Sequence, residues 1–311
     1  MIRIATCLTV LILTVTGCKP ASANSTTTST AHIADATQTA VDWAKVEAAM
    51  GRKSVIQSGD VHRFSMPRSD LHVTADGVEL KPAFALGSWV AFKAVPTGAI
   101  AMGDLVLRDT EVAAVISKLE ESGIEVTGVH HHLLGESPRI IYMHVHGHGD
   151  AEKIATGLRA ALALTGTPPA VSTASAPGAG MPDIDTAGIA KAIGATGRMN
   201  GGVYQVSIPR TEIVHDDGME IPASMGLATA LNFQPTGNGR AAITGDFVLI
   251  ASEVNPVIRS LRKNGIEVTS LHNHLLTDEP RLFFMHFWAN DDALKLARAL
   301  REALDLRSVT P

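Results

Sequence analysis

Histidine is the side chain that most often holds a transition metal near neutral pH, because its uncharged ring offers a nitrogen lone pair. Nine of the 13 histidines in this chain fall in two short stretches: His130, His131, His132, His144, His146 and His148, then His272, His274 and His286. The stretches centre on VHHHLLGESPRIIYMHVH from Val129, with His148 just beyond it, and on LHNHLLTDEPRLFFMHFW from Leu271, at a constant offset of 142 residues. His130, His132 and His144 thus match His272, His274 and His286, and Arg139 matches Arg281. The chain is a duplication, and the duplicated unit centres on a histidine-bearing hairpin.

Alternate residues of a strand share a face, so His272 and His274 point the same way. A turn at Thr277–Asp278–Glu279–Pro280 sets His274 opposite His286 and His272 opposite Trp288. The same register sets His132 opposite His144 and His130 opposite His146. Opposed side chains on one face have Cβ atoms roughly 5 Å apart. Three imidazoles then converge in the second copy and four in the first, and a slip of one residue would scatter them. Three imidazoles with an open fourth position suit zinc or another late divalent ion. The expected metal ligands are therefore His272, His274 and His286, with His130, His132, His144 and His146 in the first copy. The bland alternative is a polar sheet face whose rings bond to each other, to carboxylates or to water. His131 and His148 fall outside the pattern, and His62, His72 and His215 have no counterpart in the other copy.

A carboxylate could complete the set. Glu253, with Glu111 its counterpart, starts a helix just after a strand and is the candidate general base; otherwise it is a first-turn acid complementing the helix dipole. Arg281, like Arg139, follows a proline and could hold an anionic substrate through a bidentate fork. Arg68 and Arg210 follow Pro67 and Pro209. The alternative for these arginines is a structural salt bridge, to Asp70 or Glu212 for instance. Trp288, Phe283, Phe284 and Phe287 read as core, and Asn232 and Gln234 as weak pocket candidates.

The elements that must position these residues repeat as well. Asp42 caps a helix with Trp43, Val46 and Met50 on one face and Gly51 as its stop; Asp185, Ile189, Ile193 and Gly194 repeat it. Strands follow at 61–66 and 203–208, turns at Asp76-Gly77 and Asp217-Gly218, and further strands at 83–94 and 223–233. Gly103-Asp104-Leu-Val-Leu matches Gly245-Asp246-Phe-Val-Leu. Val112, Val115, Ile116 and Leu119, and Val254, Val257, Ile258 and Leu261, have helical spacing. A last helix carries Ile154, Leu158 and Leu162, or Leu296, Leu300 and Leu304. The expected fold is α+β: two tandem homologous domains, each an antiparallel sheet with helices packed on one face. Their bounds are 40–165 and 184–307, joined by a Pro/Gly/Ala/Ser linker over 166–183.

The N-terminus reads as a targeting segment. Arg3 precedes an apolar run from Ile4 to Val15, too short to span a bilayer, and Val15-Thr16-Gly17-Cys18 resembles a lipoprotein signal. Residues 1–18 are the expected signal peptide, with Cys18 lipidated; an ordinary secretory signal cut a little later is the alternative. Residues 19–39 are Ser/Thr/Ala-rich and read as a flexible tether. Cys7 would leave with the signal, so no disulfide and no thiolate metal ligand is available. The expected location is the cell envelope, on its periplasmic or extracytoplasmic face, held to the membrane through Cys18. A net charge of −5 and a pI near 6.2, with no basic stripe, exclude a nucleic-acid partner.

The segments ALNFQPTGNGRAAITGDFVL, EVNPVIRSLRKNGIEVTSLHNHLL and DEPRLFFMHFWA of the second copy resemble the LppY/LpqO family of bacterial lipoproteins, built from a tandem domain of unknown function. The first copy fits more loosely: His131 replaces Asn273 and His146 replaces Trp288. The resemblance spans about Asp42 to Leu304. It implies an envelope lipoprotein and no particular reaction.

Three functions follow from the residues. One is an envelope lipoprotein that binds a divalent metal such as zinc, for sensing, buffering or cross-bracing. The second is a metal-dependent hydrolase of an ester, amide or phosphoester, with water made acidic by the ion to a pKa of around 7, Glu253 as base and Arg281 as substrate anchor. The third is a metal-free module for a small-molecule or envelope ligand such as a glycan, peptide or lipid. No G-x-S-x-G, H-E-x-x-H, Walker or Rossmann motif is present.

Overall fold

The structure is a computed structural model that describes residues 40–170 and 183–307. The expected signal peptide with Cys18, the expected tether and linker residues 171–182 lie outside the described residues. The first repeat runs α1 (Trp43–Met50), β1 (Val55–Gln57), β2 (Val61–Pro67), β3 (Thr74–Ala75), β4 (Val78–Glu79), β5 (Gly87–Val95), β6 (Gly98–Arg108), α2 (Asp109–Glu121), β7 (Glu125–His130), β8 (Glu136–Ser137), β9 (Ile140–Gly149) and α3 (Ala151–Leu162). The second repeats it: α4 (Thr186–Ile193), β10 (Arg198–Asn200), β11 (Val203–Pro209), β12 (Val214–Asp216), β13 (Met219–Ile221), β14 (Ala228–Gly237), β15 (Arg240–Ile250), α5 (Ala251–Lys263), β16 (Glu267–His272), β17 (Asp278–Glu279), β18 (Leu282–Asp292) and α6 (Ala293–Leu304). Among the described residues, no helix is long and apolar enough to cross a membrane.

Local chemistry explains the boundaries. The Asp42 carboxylate accepts from Lys45 N–H at 3.3 Å, and Asp185 from Gly188 N–H at 2.8 Å. Gly51 and Gly194 close those helices in the left-handed region. Asp76-Gly77 and Asp217-Gly218, all with positive φ, turn the small hairpins β3–β4 and β12–β13.

Each repeat forms an antiparallel six-stranded sheet, β1-β2-β5-β6-β9-β7 in one and β10-β11-β14-β15-β18-β16 in the other. One face of each sheet carries the helices. Val115, Leu119, Ile154 and Leu158 pack there against Phe64, Phe92 and Leu105, and the second repeat matches with Val257, Leu261, Leu296 and Leu300 against Phe233 and Phe247. The other faces of the two sheets meet. Two apolar clusters draw residues from both repeats: one joins Val61, Ala91 and Ile100 to Val248, Leu275 and Phe284, and the other joins Leu86, Ile140 and Tyr142 to Val203 and Trp288. The order of layers is helix, sheet, sheet, helix, and the histidines lie between the sheets.

The histidine hairpin departs from the expected register. His272 faces Phe284 across the ladder, and Ser270 faces His286; in the first copy His130 faces Tyr142 and Gly128 faces His144. The cause is the connection. The chain from 273 to 281 is no tight turn, because Asp278 and Glu279 leave to pair with Asp216 and His215 of β12. The register is thereby displaced by an even number of positions, so the imidazoles keep a common face even though their partners change. His132 and His274 sit just beyond their strand ends and reach the same face from the bend.

Candidate metal centre

The two histidine sets form one centre. His130 and His272 stack with ring centroids 3.6 Å apart, His132 stacks on His286 at 3.7 Å, and His144 meets His274 at 3.9 Å. These contacts exchange when the repeats are exchanged, as across the twofold of an isologous dimer. Backbone contacts obey the same exchange: Thr127 Oγ1 donates to His274 O at 2.6 Å and Thr269 Oγ1 to His132 O at 2.5 Å. Tyr142 stacks on His132 at 3.3 Å, and Phe284 on His274 at 3.4 Å.

Two carboxylates that sequence reasoning missed complete the centre. Asp104 on β6 lies opposite His144, and Asp246 on β15 lies opposite His286. Asp104 Oδ2 is 3.6 Å from His132 Nε2; Asp246 Oδ2 is 3.4 Å from His274 Nε2, and its Oδ1 is 3.6 Å from His286 Nε2. The signal was there, an acid in the middle of an apolar strand, repeated as Gly103-Asp104 and Gly245-Asp246. The glycines matter too. Gly245 O accepts from His286 Nδ1 at 2.7 Å, and a Cβ on Gly245 would meet Ala230 O at 1.8 Å.

The surroundings favour the neutral form of five of these rings. Burial, then the neighbouring His286, push His130 down to about 3. Burial lowers His132 and His144 well below the ordinary histidine range, with their fellow histidines adding to it, and lowers His272 and His286 as well. Burial and the nearby Asp246 raise Asp104 well above the ordinary carboxyl range, whereas for Asp246 the effect of burial is outweighed by His286 and His274. Neutral imidazole is the form that ligates metal.

Tautomers favour ligation as well. With Nδ1–H donated to a carbonyl, a ring presents its Nε2 lone pair. His286 does this to Gly245 O and His130 to His131 O, the latter at 3.1 Å. His130 Nε2 then lies 2.8 Å from His144 Nε2. Many ligand atoms remain unsatisfied: His132 Nε2, both nitrogens of His272, His274 Nε2, His286 Nε2, Asp104 Oδ1 and Asp246 Oδ1 are all buried without a hydrogen-bond partner. Two groups bring their ligand atoms within 4.8 Å of one another: His130, His272 and His286, and His144, His272 and His274. His272 is common to both. A divalent cation fits this donor set, because it would satisfy atoms that otherwise stay orphaned in a desolvated space.

The remaining expected site residues lie elsewhere. His146 belongs to neither group; it is 3.3 Å from Glu125 and, across the repeats, 3.4 Å from Asp216. Glu253 does not reach the imidazoles. Arg210 forks onto it at 2.7 and 3.2 Å, and it accepts from Ile250 N–H at the helix start at 2.9 Å. Glu111 sits likewise beneath Arg68, which is fully buried and also forks onto Asp70. Arg68 with Asp70 and Arg210 with Glu212 are the salt bridges weighed from the sequence; the forks onto Glu111 and Glu253 are additional. Arg281 turns onto its own loop, its Nη1 donating to Asp278 and to the carbonyls of Leu275 and Leu276. Gln234 is no pocket residue but a staple between repeats, accepting from Lys81 N–H at 2.9 Å and donating to Glu79 O at 2.7 Å.

A cavity of about 750 Å³ opens onto the centre, reaching Asp104, His132, Asp246 and His286. It draws equivalent positions from both repeats, Ser65 with Ser207 and Arg63 with Gln205, and therefore lies along the pseudo-twofold.

Comparison with curated proteins finds no match. Among solved structures the chain is similar to EtuB from Clostridium kluyveri, at 11% identity over 82% of this chain and 91% of that one, with a TM-score of 0.20. It is similar also to the trimeric bacterial microcompartment shell protein PduB, at 13% identity over 81% and 90% with a TM-score of 0.21. Neither likeness carries an argument at such scores. The family model described as Domain of Unknown Function (DUF1259) matches twice, over residues 44–164 and 187–306, and the chain belongs to that family as a tandem of two such domains.

Proposed function

We propose that this protein binds a divalent transition metal between its two repeats. It does so through His130, His132, His144, His272, His274 and His286, with Asp104 and Asp246 beside them. The observation that carries this reading is the set of buried imidazole and carboxylate atoms without partners, gathered from both repeats onto one axis. Nitrogen-rich donors with two carboxylates suit zinc and the late first-row ions better than calcium or magnesium. His272, shared by both groups, is the ligand whose loss should matter most. Consistent with the resemblance read from the sequence, we place the protein in the cell envelope as a lipoprotein of the LppY/LpqO type anchored at Cys18.

The test is metal content by mass spectrometry on protein purified without a histidine tag, beside His272→Phe. Stoichiometric metal in the parent and none in the variant is expected. A metal-free parent whose melting does not respond to zinc, copper, nickel or manganese would overturn the reading.

One observation favours a second reading, metal-dependent hydrolysis of an ester, amide or phosphoester. The cavity gives a small molecule access to the centre, as a closed structural site would not. When bound, the ion would supply Lewis acidity there. Of this chain's own groups, Asp104 lines the cavity with its carboxyl favoured in the protonated form, and Asp246 with its carboxylate favoured ionised.

A further inference from the structure

The cavity over the histidine centre is lopsided, although it lies on a pseudo-twofold. The first repeat contributes Arg63 and Trp89 where the second contributes Gln205 and Ala230. The equivalence of Trp89 and Ala230 follows from their ladders, since each faces the centre's aspartate, Asp104 or Asp246. The Arg63 guanidinium lies 3.9 Å from the Trp89 ring centroid. Trp89 in turn rests on Gly226 of the second repeat, where a Cβ would come within 2.5 Å of the indole. The arginine is thus held on a fixed platform.

Its donors are nonetheless unspent. Among the described residues, Arg63 has no hydrogen bond and no carboxylate within ion-pair distance, unlike Arg68 and Arg210, whose forks are filled. A stacked guanidinium with a free edge, facing a cavity, is an arrangement that receives an oxyanion in bidentate fashion. Arg198, from the second repeat, lines the same space and adds a second positive charge. Pro82, Ala83 and Ala85, with the Trp89 ring, supply apolar wall. The volume suits a small organic molecule and exceeds what an inorganic anion needs.

We infer that this cavity binds a small organic oxyanion, its carboxylate or phosphate head on Arg63 and its apolar body against Trp89 and the wall at Pro82, Ala83 and Ala85. The inference goes beyond the metal reading and does not presuppose it: the Arg63 guanidinium is no metal ligand, although its charge acts on Asp104 at the edge of the centre.

The test uses benzoate and phenyl phosphate as probes and neutral benzamide as control. Binding is measured by titration calorimetry on the purified protein, as isolated and after chelator treatment. Binding of an anionic probe at low millimolar concentration is expected in both states, with benzamide at least tenfold weaker. Arg63→Gln, which copies the second repeat, should weaken the anionic probe at least about tenfold while leaving metal content unchanged. Arg63→Lys keeps the charge without the fork and should bind with intermediate affinity; it decides the matter if Arg63→Gln does not fold. Anion binding without metal would support this site even if the metal reading failed. Absence of binding by both anions, equal binding of benzamide, or an unweakened arginine variant would overturn it.

Discussion

Replacing His272 by phenylalanine should have effects of opposite sign with and without metal. The ring stacks on His130 at 3.6 Å, and both its nitrogens are buried without partners. Phenylalanine keeps the stacked ring and removes two polar atoms that nothing satisfies. An unsatisfied buried group costs about 1–3 kcal/mol. Taking the low end for each nitrogen, because the residue is only half-buried, His272→Phe should stabilise metal-free protein by roughly 2 kcal/mol. In a chain of this size that is a rise in Tm of about 3–4 °C. With metal the order should reverse. A ligand at 100 times its Kd stabilises the folded state by about 2.7 kcal/mol, and the variant forfeits that gain. The assay is calorimetric melting of parent and variant, each after chelator treatment and again with excess zinc. A variant less stable than the parent without metal would refute the claim that these nitrogens are orphaned; an equal zinc shift in both would refute the shared-ligand role of His272.

Further outcomes follow from the same geometry. His146→Ala should leave metal content unchanged by mass spectrometry, because His146 belongs to neither group of converging ligand atoms and its Nδ1 faces Glu125. Arg210→Met should lower stability by roughly 1–3 kcal/mol in urea titration by removing the fork on Glu253, which keeps its bond from Ile250 N–H, with metal content retained; a loss of metal with intact stability would restore Glu253 to the site. Metal-free protein should lose stability on acidification from pH 6.5 toward 4.5. The unfolded state takes up protons near 6.5, whereas folded His130 holds off until about 3 and His132, His144, His272 and His286 are also lowered. Each such histidine gives a slope of at most about 1.4 kcal/mol per pH unit. Asp104, raised by burial, and Glu136, raised to about 7, act in the opposite sense, but they are outnumbered. Urea midpoints that do not fall between pH 6.5 and 4.5 would contradict this.

The repeated pattern made the fold legible. Periodicity located α2, α3, α5 and α6, and Asp-Gly pairs with positive φ marked the small hairpins. The shared face of the imidazoles survived a wrong register because face depends only on parity. What the sequence could not disclose is that the two histidine faces meet each other. That depends on which sheet face the helices cover and on apolar clusters assembled from both repeats. Asp104 and Asp246 were overlooked because an isolated acid on an apolar strand has no partner in its own stretch; its partners come from the hairpin and from across the axis. Glu253 was misleading for the converse reason. Its partner, Arg210, lies 43 residues away and consumes the carboxylate.

A centre placed on a pseudo-twofold also bears on why two copies share one chain. Were the same contacts made by two identical subunits, every position off the axis would occur twice, and Arg63, Trp89 and His146 could not be present on one side alone. The tandem arrangement removes that constraint. The six imidazoles stay paired by symmetry, while the cavity above them differs left from right: Arg63 against Gln205, Trp89 against Ala230. A symmetric vessel could only greet a symmetric guest or hold an asymmetric one in two orientations. This one has a head end and a tail end, so a bound molecule would meet the centre in a single sense.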